Sequence, residues 1–180
     1  INLTFFPLLA WARQWELAST WYLAALLLLL LTQIGALRGR VPLYLSSRRA
    51  KNELLRLLPE KQGLRLLDIG SGTGGLLAYL AKARPDIALT GIESAPALWL
   101  YSRLRLGRRA AVRLGSFWAQ DLSSHDVVYA FLSPEPMARL WDKARREMRP
   151  GSLFISNSFP VPGATPDQVI EVDCTPPRPL

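Results

Sequence analysis

Cysteine and histidine are almost absent from this chain: one of each in 180 residues. The lone cysteine, Cys174, sits in a proline-rich tail, which excludes a disulfide framework and any cysteine-based metal centre. A single histidine excludes a histidine-rich metal site in the same way. Acidic residues are also scarce, 14 against 22 lysines and arginines, for a formal net charge of +8. That imbalance leaves three classes of partner: nucleic acid, an anionic membrane surface or an acidic protein. No internal repeat is visible, and the only low-complexity stretch is a leucine run near the N-terminus. The chain begins at Ile1 rather than Met, as expected of a trimmed or incompletely defined N-terminus.

What is present is unevenly spread. From Leu17 to Leu37, "LASTWYLAALLLLLLTQIGAL", there is no charged residue. As a helix this segment reaches about 31 Å, against a hydrocarbon core of about 30 Å. Trp11, Trp15, Trp21 and Tyr22 gather at one end, as interfacial anchors do. Arg38, Arg40, Arg48, Arg49 and Lys51 follow the other end, a bias that places the remainder of the chain on the cytoplasmic side. Basic residues after the apolar stretch, and no small-residue cleavage site, argue against a signal peptide. A leucine run with no polar face argues against a buried core helix. The expected organisation is a membrane anchor over 1–37 with its single spanning helix at 17–37, a connector and helix over 38–63, and a catalytic domain over 64–180. The expected location is the inner (cytoplasmic) membrane, with the bilayer itself as one partner.

Beyond the anchor, apolar strand-like runs alternate with helical patterns. Ser46 or Ser47 caps a helix through about Leu58, which Pro59 ends. Leu64–Ile69, Ile87–Ile92, "AAVRL", "DVVYAFL" (Asp126 to Leu132), "GSLFISNSF" and "DQVIEVD" read as strands. Helices fall at Leu76–Ala83, over "APALWLYSRLRL", and over "SPEPMARLWDKARREM", with Ser133 as N-cap and Pro134 in its first turn. This alternation predicts an α/β fold, a Rossmann-like, doubly wound, mostly parallel sheet.

The first βαβ unit, "LRLLDIGSGTGGLLAYLAKARPDIALTGIE", carries the chemistry. Gly70, Gly72 and Gly75 satisfy G-x-G-x-x-G, and Glu93 lies where a ribose-binding acid belongs. Asp68 separates the possibilities. A carboxylate two positions before the loop repels a pyrophosphate but suits a cofactor bearing an ammonium group. S-adenosylmethionine has that ammonium, a ribose and no phosphate.

"LLDIGSGTGG" followed by "GIE" resembles the first two motifs of class I S-adenosylmethionine-dependent methyltransferases, over about Val41 to Asp173. "GIESAPALWLYSRLRL", "GSFW" and "SNSFPVP" resemble a narrower group, the membrane-anchored protein-lysine methyltransferases, among them those of the mitochondrial adenine nucleotide translocase and ATP synthase c subunit. The resemblance implies that Asp68, Gly70, Ser71, Gly72 and Gly74 line the methionine portion, that Glu93 binds the ribose with Ser94 beside it, and that Ser116 and Phe117 lie near the adenine. Such enzymes commonly carry an acid where this chain has Ser116, and a serine accepts more weakly. "CTPPRPL" stops where relatives usually continue into another strand.

No catalytic base is evident, and no metal is called for. There is no Asn/Asp-Pro-Pro-Tyr motif, which argues against adenine or glutamine amino methylation. His125 precedes a core strand, away from its carboxyl end. Phe131, Leu132, Ser133, Glu135, Asn157 and Phe159 follow strand carboxyl ends and are the candidates to face the acceptor. Glu135 also reads as a first-turn acid. Arg103, Arg105, Arg108, Arg109 and Arg113 read as a solvated face or one resting on anionic lipid; without interleaved stacking aromatics, nucleic acid is not the expected partner. The expected function is lysine methylation of a membrane protein, yielding S-adenosylhomocysteine. Methylation of a lipid or quinone-like molecule, and a non-catalytic cofactor-binding scaffold, remain the alternatives.

Overall fold

A computed structural model describes residues 20–27, 29, 30 and 44–172. Five parallel strands form one sheet in the order β3-β2-β1-β4-β5: β1 (Arg65–Ile69), β2 (Ala88–Glu93), β3 (Ala111–Leu114), β4 (Val127–Ala130) and β5 (Leu153–Ser156). The order reverses between β1 and β4, where Asp68 lies in register with Tyr129. The doubly wound parallel sheet is as predicted.

Period-two alternation sorts the central strands between two cores. Leu66, Val127 and Tyr129 join one, with Leu76, Leu77, Leu80 and Leu106. These come from α2 (Gly75–Ala83) and α3 (Pro96–Leu106), and Leu54 and Leu58 reach the same core from α1 (Arg48–Leu57) and its end. Leu67, Ile69, Val128 and Ala130 join the other, with Met137, Leu140 and Ala144 of α4 (Met137–Glu147). Strands buried on both faces need near-continuous apolar sequence, which "RLLDI" and "VVYA" supply.

Ser47 caps α1 by accepting from the Ala50 N–H at 3.1 Å. Leu58 turns extended at the C-cap, as the residue before a proline tends to.

Two predicted elements are corrected. The helix expected from Ser133 begins at Met137, with Pro136 as its N-cap. Pro136 disfavours helical backbone at Glu135, so Glu135 is an exposed residue ahead of the helix rather than a first-turn acid. The last strand, "DQVIEVD", is not formed over the described residues 167–172. Val169 is exposed, no described neighbour provides a ladder, and Pro160, Pro162 and Pro166 upstream lack the N–H groups that pairing requires.

Of the predicted span 17–37, residues 20–27, 29 and 30 are described; they are helical and exposed, Trp21 at 67%. The rest of that span, Trp11, Trp15, Arg38, Arg40 and the chain from Asp173 lie outside the described residues. Among the described residues, no helix is long and apolar enough to cross a membrane.

Candidate active site

β1 ends at Ile69, and the chain folds back across the end of β2: the Gly70 and Ser71 N–H groups both donate to the Ile92 carbonyl, at 3.0 and 2.9 Å. Gly70, Gly72 and Gly74 all have positive φ (72°, 54° and 68°), backbone that residues with a Cβ rarely adopt. Space is as restrictive as conformation. A Cβ on Gly70 would sit 2.8 Å from Leu132 Cδ2, and one on Gly74 2.8 Å from Leu106 Cδ1.

Glu93, at the end of β2, is buried and holds the loop from the other side. One carboxylate oxygen accepts from the Gly72 N–H at 2.8 Å and the other from the Ala95 N–H at 2.8 Å. Each oxygen keeps a lone pair for a further donor, as a ribose diol requires. The Glu93 carbonyl accepts from the Gly115 N–H at 2.9 Å, which brings Ser116 and Phe117 to the same end of the sheet. The Ser116 hydroxyl accepts from the Trp118 N–H at 3.3 Å, capping a single 3-10 turn over Phe117–Ala119. Phe117 is half-buried against Trp118, ring centroids 4.6 Å apart, and Ser94 is exposed.

Asp68 is 4% exposed at the switch point, and no donor among the described residues reaches its carboxylate. Burial, helped by the nearby Glu93 charge, pushes its pKa up to about 7. Ser71 Oγ is buried with no hydrogen-bond partner among the described residues. Buried polar atoms are normally satisfied. A carboxylate lacking its counter-charge, an orphaned hydroxyl and a glycine-walled loop fit a ligand that brings an ammonium group and donors to this spot. They do not fit a pyrophosphate. The donor set suits S-adenosylmethionine.

The acceptor candidates separate. Phe131 and Phe159 come together around Tyr44, which stacks on Phe131 at 4.9 Å and tilts against Phe159 at 5.6 Å between ring centroids. Asn157 Nδ2 donates to the Tyr129 hydroxyl at 2.9 Å, and that hydroxyl lies 2.8 Å from Ser46 Oγ. Leu132 is buried against Gly70, Ser133 is buried, and Glu135 is exposed. His125 is buried at the amino end of β4, its Nδ1 3.1 Å from Ser124 Oγ, far from this edge in the topology. Among the described residues, no cluster of His, Cys, Asp or Glu could hold a metal ion.

Sequence reasoning passed over Tyr44, Tyr129 and Gly91, and read Ser46 only as an alternative helix cap, a role that Ser47 takes. Tyr129 interrupts an otherwise aliphatic run, and a buried tyrosine hydroxyl needs a partner. Gly91 lies inside β2, where a lone glycine marks a close approach: its Cβ would meet Leu77 Cδ1 at 2.7 Å and Ser71 Oγ at 2.8 Å. Tyr44 lies in a connector with no periodic signal.

A family model described as the ANTKMT methyltransferase domain matches residues 68–168. Among curated proteins, a protein-lysine N-methyltransferase of Saccharolobus islandicus is 26% identical over 138 residues, 74% of this chain and 86% of the relative. The adenine nucleotide translocase lysine N-methyltransferase of Mus musculus is 32% identical over 141 residues, 74% of this chain but only 60% of the mouse protein's length. Among solved structures, an RNA methyltransferase from Salinibacter ruber in complex with S-adenosylhomocysteine superposes with a TM-score of 0.67 at 22% identity, covering 72% of this chain and 87% of that one. At that identity the likeness shows the fold alone.

Proposed function

The chain belongs to the ANTKMT methyltransferase domain family and is a class I S-adenosylmethionine-dependent methyltransferase; from that premise we propose that it methylates lysine side chains of a protein held at the cytoplasmic face of the inner membrane. The curated relatives named for lysine methylation support the acceptor class. The exposed apolar helix at 20–27 and the basic residues after residue 37 support the membrane setting.

The observation that carries the reading is the pair of buried acids, Asp68 and Glu93, on either side of the glycine loop. In this reading Asp68 holds the cofactor's ammonium, Ser71, Gly70, Gly72 and Gly74 surround the methionine portion, and Glu93 accepts from the ribose. Ser94 lies beside Glu93 at the ribose, and Ser116 and Phe117 flank the adenine. Bound there, S-adenosylmethionine supplies an electrophilic methyl group on a sulfonium.

The protein's remaining task is to present a neutral amine in line. Deprotonating a lysine of ordinary pKa costs about 4 kcal/mol near pH 7.4. The aromatic wall of Tyr44, Phe131 and Phe159 lowers that cost by desolvating the ammonium. Asn157, locked by Tyr129, ends the strand beside it. No side chain is assigned as general base; a desolvated amine gives its proton to solvent before transfer.

Incubating the full chain in detergent with methyl-labelled S-adenosylmethionine and membranes from a strain lacking the protein tests the acceptor class. The expected result is label in the protein fraction, recovered as methyl-lysine after acid hydrolysis and absent with Asp68→Ala. Label extracted with the lipids would replace a lysine acceptor with a small molecule.

A further inference from the structure

We propose that the outer face of α3 and the edge strand β3 form a second membrane contact, a surface for anionic phospholipid distinct from the N-terminal segment. Leu100, Tyr101 and Leu104 are 50%, 55% and 76% exposed. Their spacing of three and four residues puts them on one face of α3. Soluble helices turn such a face inward; this one turns it outward, while Ser102 and Leu106 on the opposite side are buried.

Charge says what covers it. Arg103 and Arg105 flank the apolar face at helical spacing, Arg108 and Arg109 follow the helix, and Arg113 projects from β3; all are exposed. No acidic residue occurs between Ser94 and Gln120. An open depression of about 550 Å³ beside them is lined by Arg103, Leu104, Arg108 and Val112, among others. Exposed leucines and a tyrosine framed by uncompensated arginines match an interfacial element on an anionic leaflet: apolar groups enter the headgroup boundary and guanidiniums meet phosphates. An acidic protein would not require the exposed leucines, and a nucleic acid would favour a series of stacking aromatics rather than leucines.

The face also has a fixed relation to the cofactor loop. Arg105 donates to the Thr73 carbonyl at 3.3 Å, and Gly74 packs so close to α3 that an added Cβ would lie 2.8 Å from Leu106 Cδ1 and 3.1 Å from Ser102 Cβ. A bilayer against α3 therefore holds the catalytic edge at a set orientation. The inference stands whether or not residues 17–37 span a bilayer.

The test uses the full chain with Leu104→Cys in a Cys174→Ser background, labelled with a polarity-sensitive fluorophore and mixed with vesicles. The expected result is a blue shift with phosphatidylcholine–phosphatidylglycerol vesicles and none with phosphatidylcholine alone. High salt reverses it. A second label at Asp142→Cys on α4, which reports mere proximity to vesicles through the N-terminus, stays unshifted. Arg103→Glu with Arg108→Glu weakens the response at least about tenfold while S-adenosylhomocysteine binding is retained. An absent shift, an equal shift in neutral vesicles, or indifference to both salt and the glutamates overturns the proposal. A shift without vesicles that grows with protein concentration assigns the face to a second copy, and one requiring added RNA assigns it to nucleic acid; either result also overturns it.

Discussion

Asp68 holds its proton far above the ordinary carboxylate range because it is buried beside Glu93 with no counter-charge among the described residues. The sign of its effect on stability follows. A carboxyl that ionises near 3.8 when unfolded and near 7 when folded stabilises the ligand-free protein below about pH 4 and loses that contribution as pH rises to 7. Above pH 7 the ionised form costs about 4 kcal/mol, at about 1.4 kcal/mol per tenfold. Thermal melts of ligand-free Asp68→Asn should therefore show a higher Tm than wild type at pH 8, with the difference shrinking toward pH 5. Tyr129 is the second residue whose burial has a consequence. Its hydroxyl, pushed up to about 12 chiefly by burial, joins Ser46 of the connector to Asn157 at the end of β5. Tyr129→Phe leaves those groups without their shared partner and should cost about 1–3 kcal/mol in denaturant unfolding. Because Ser46 stands two residues from Tyr44, turnover should fall while affinity for S-adenosylhomocysteine is nearly unchanged.

Among the elements, the β1–loop–α2–β2 unit is the one whose geometry admits least change. Gly91→Ala would drive a methyl into Leu77 and Ser71 at 2.7–2.9 Å. Overpacking of that kind typically costs about 1–3 kcal/mol. Here it should also displace Ser71 and weaken S-adenosylhomocysteine binding at least about tenfold in a calorimetric titration. This unit was the most legible part of the sequence. Its apolar runs, glycine spacing and flanking acids are all local signals, and β1, α2 and β2 lie within a residue of their predicted ends. Legibility fell where tertiary context decides. The two prolines at 134 and 136 delay α4 in spite of a plausible serine cap, and "DQVIEVD" has the composition of a strand but over residues 167–172 pairs with no described strand. The aromatic wall was half legible. Phe131 and Phe159 follow strand ends and could be nominated, whereas Tyr44 reaches them from a connector through contacts no local pattern encodes.

At the scale of the whole molecule, the net charge of +8, the uncharged stretch over 17–37 and the acid-free α3–β3 edge are the features on which the proposed bilayer setting rests. If the proposed anchor operates, fractionated cells should retain the protein in membranes washed with high salt or carbonate and release it with detergent. The same chain with residues 17–37 replaced by a polar linker should leave the membrane in high salt, since only the arginine face would then hold it.

The central claim is that a buried aspartate at the sheet's switch point reads the ammonium of the cofactor. Titrating S-adenosylhomocysteine into the full chain at pH 6, 7 and 8 tests it most directly. Binding requires the ionised carboxylate, so affinity should rise severalfold to tenfold from pH 6 to 8, levelling off above about 7. Asp68→Asn should bind weakly at every pH, with no slope. Equal, pH-independent affinity in wild type and Asp68→Asn would contradict the account.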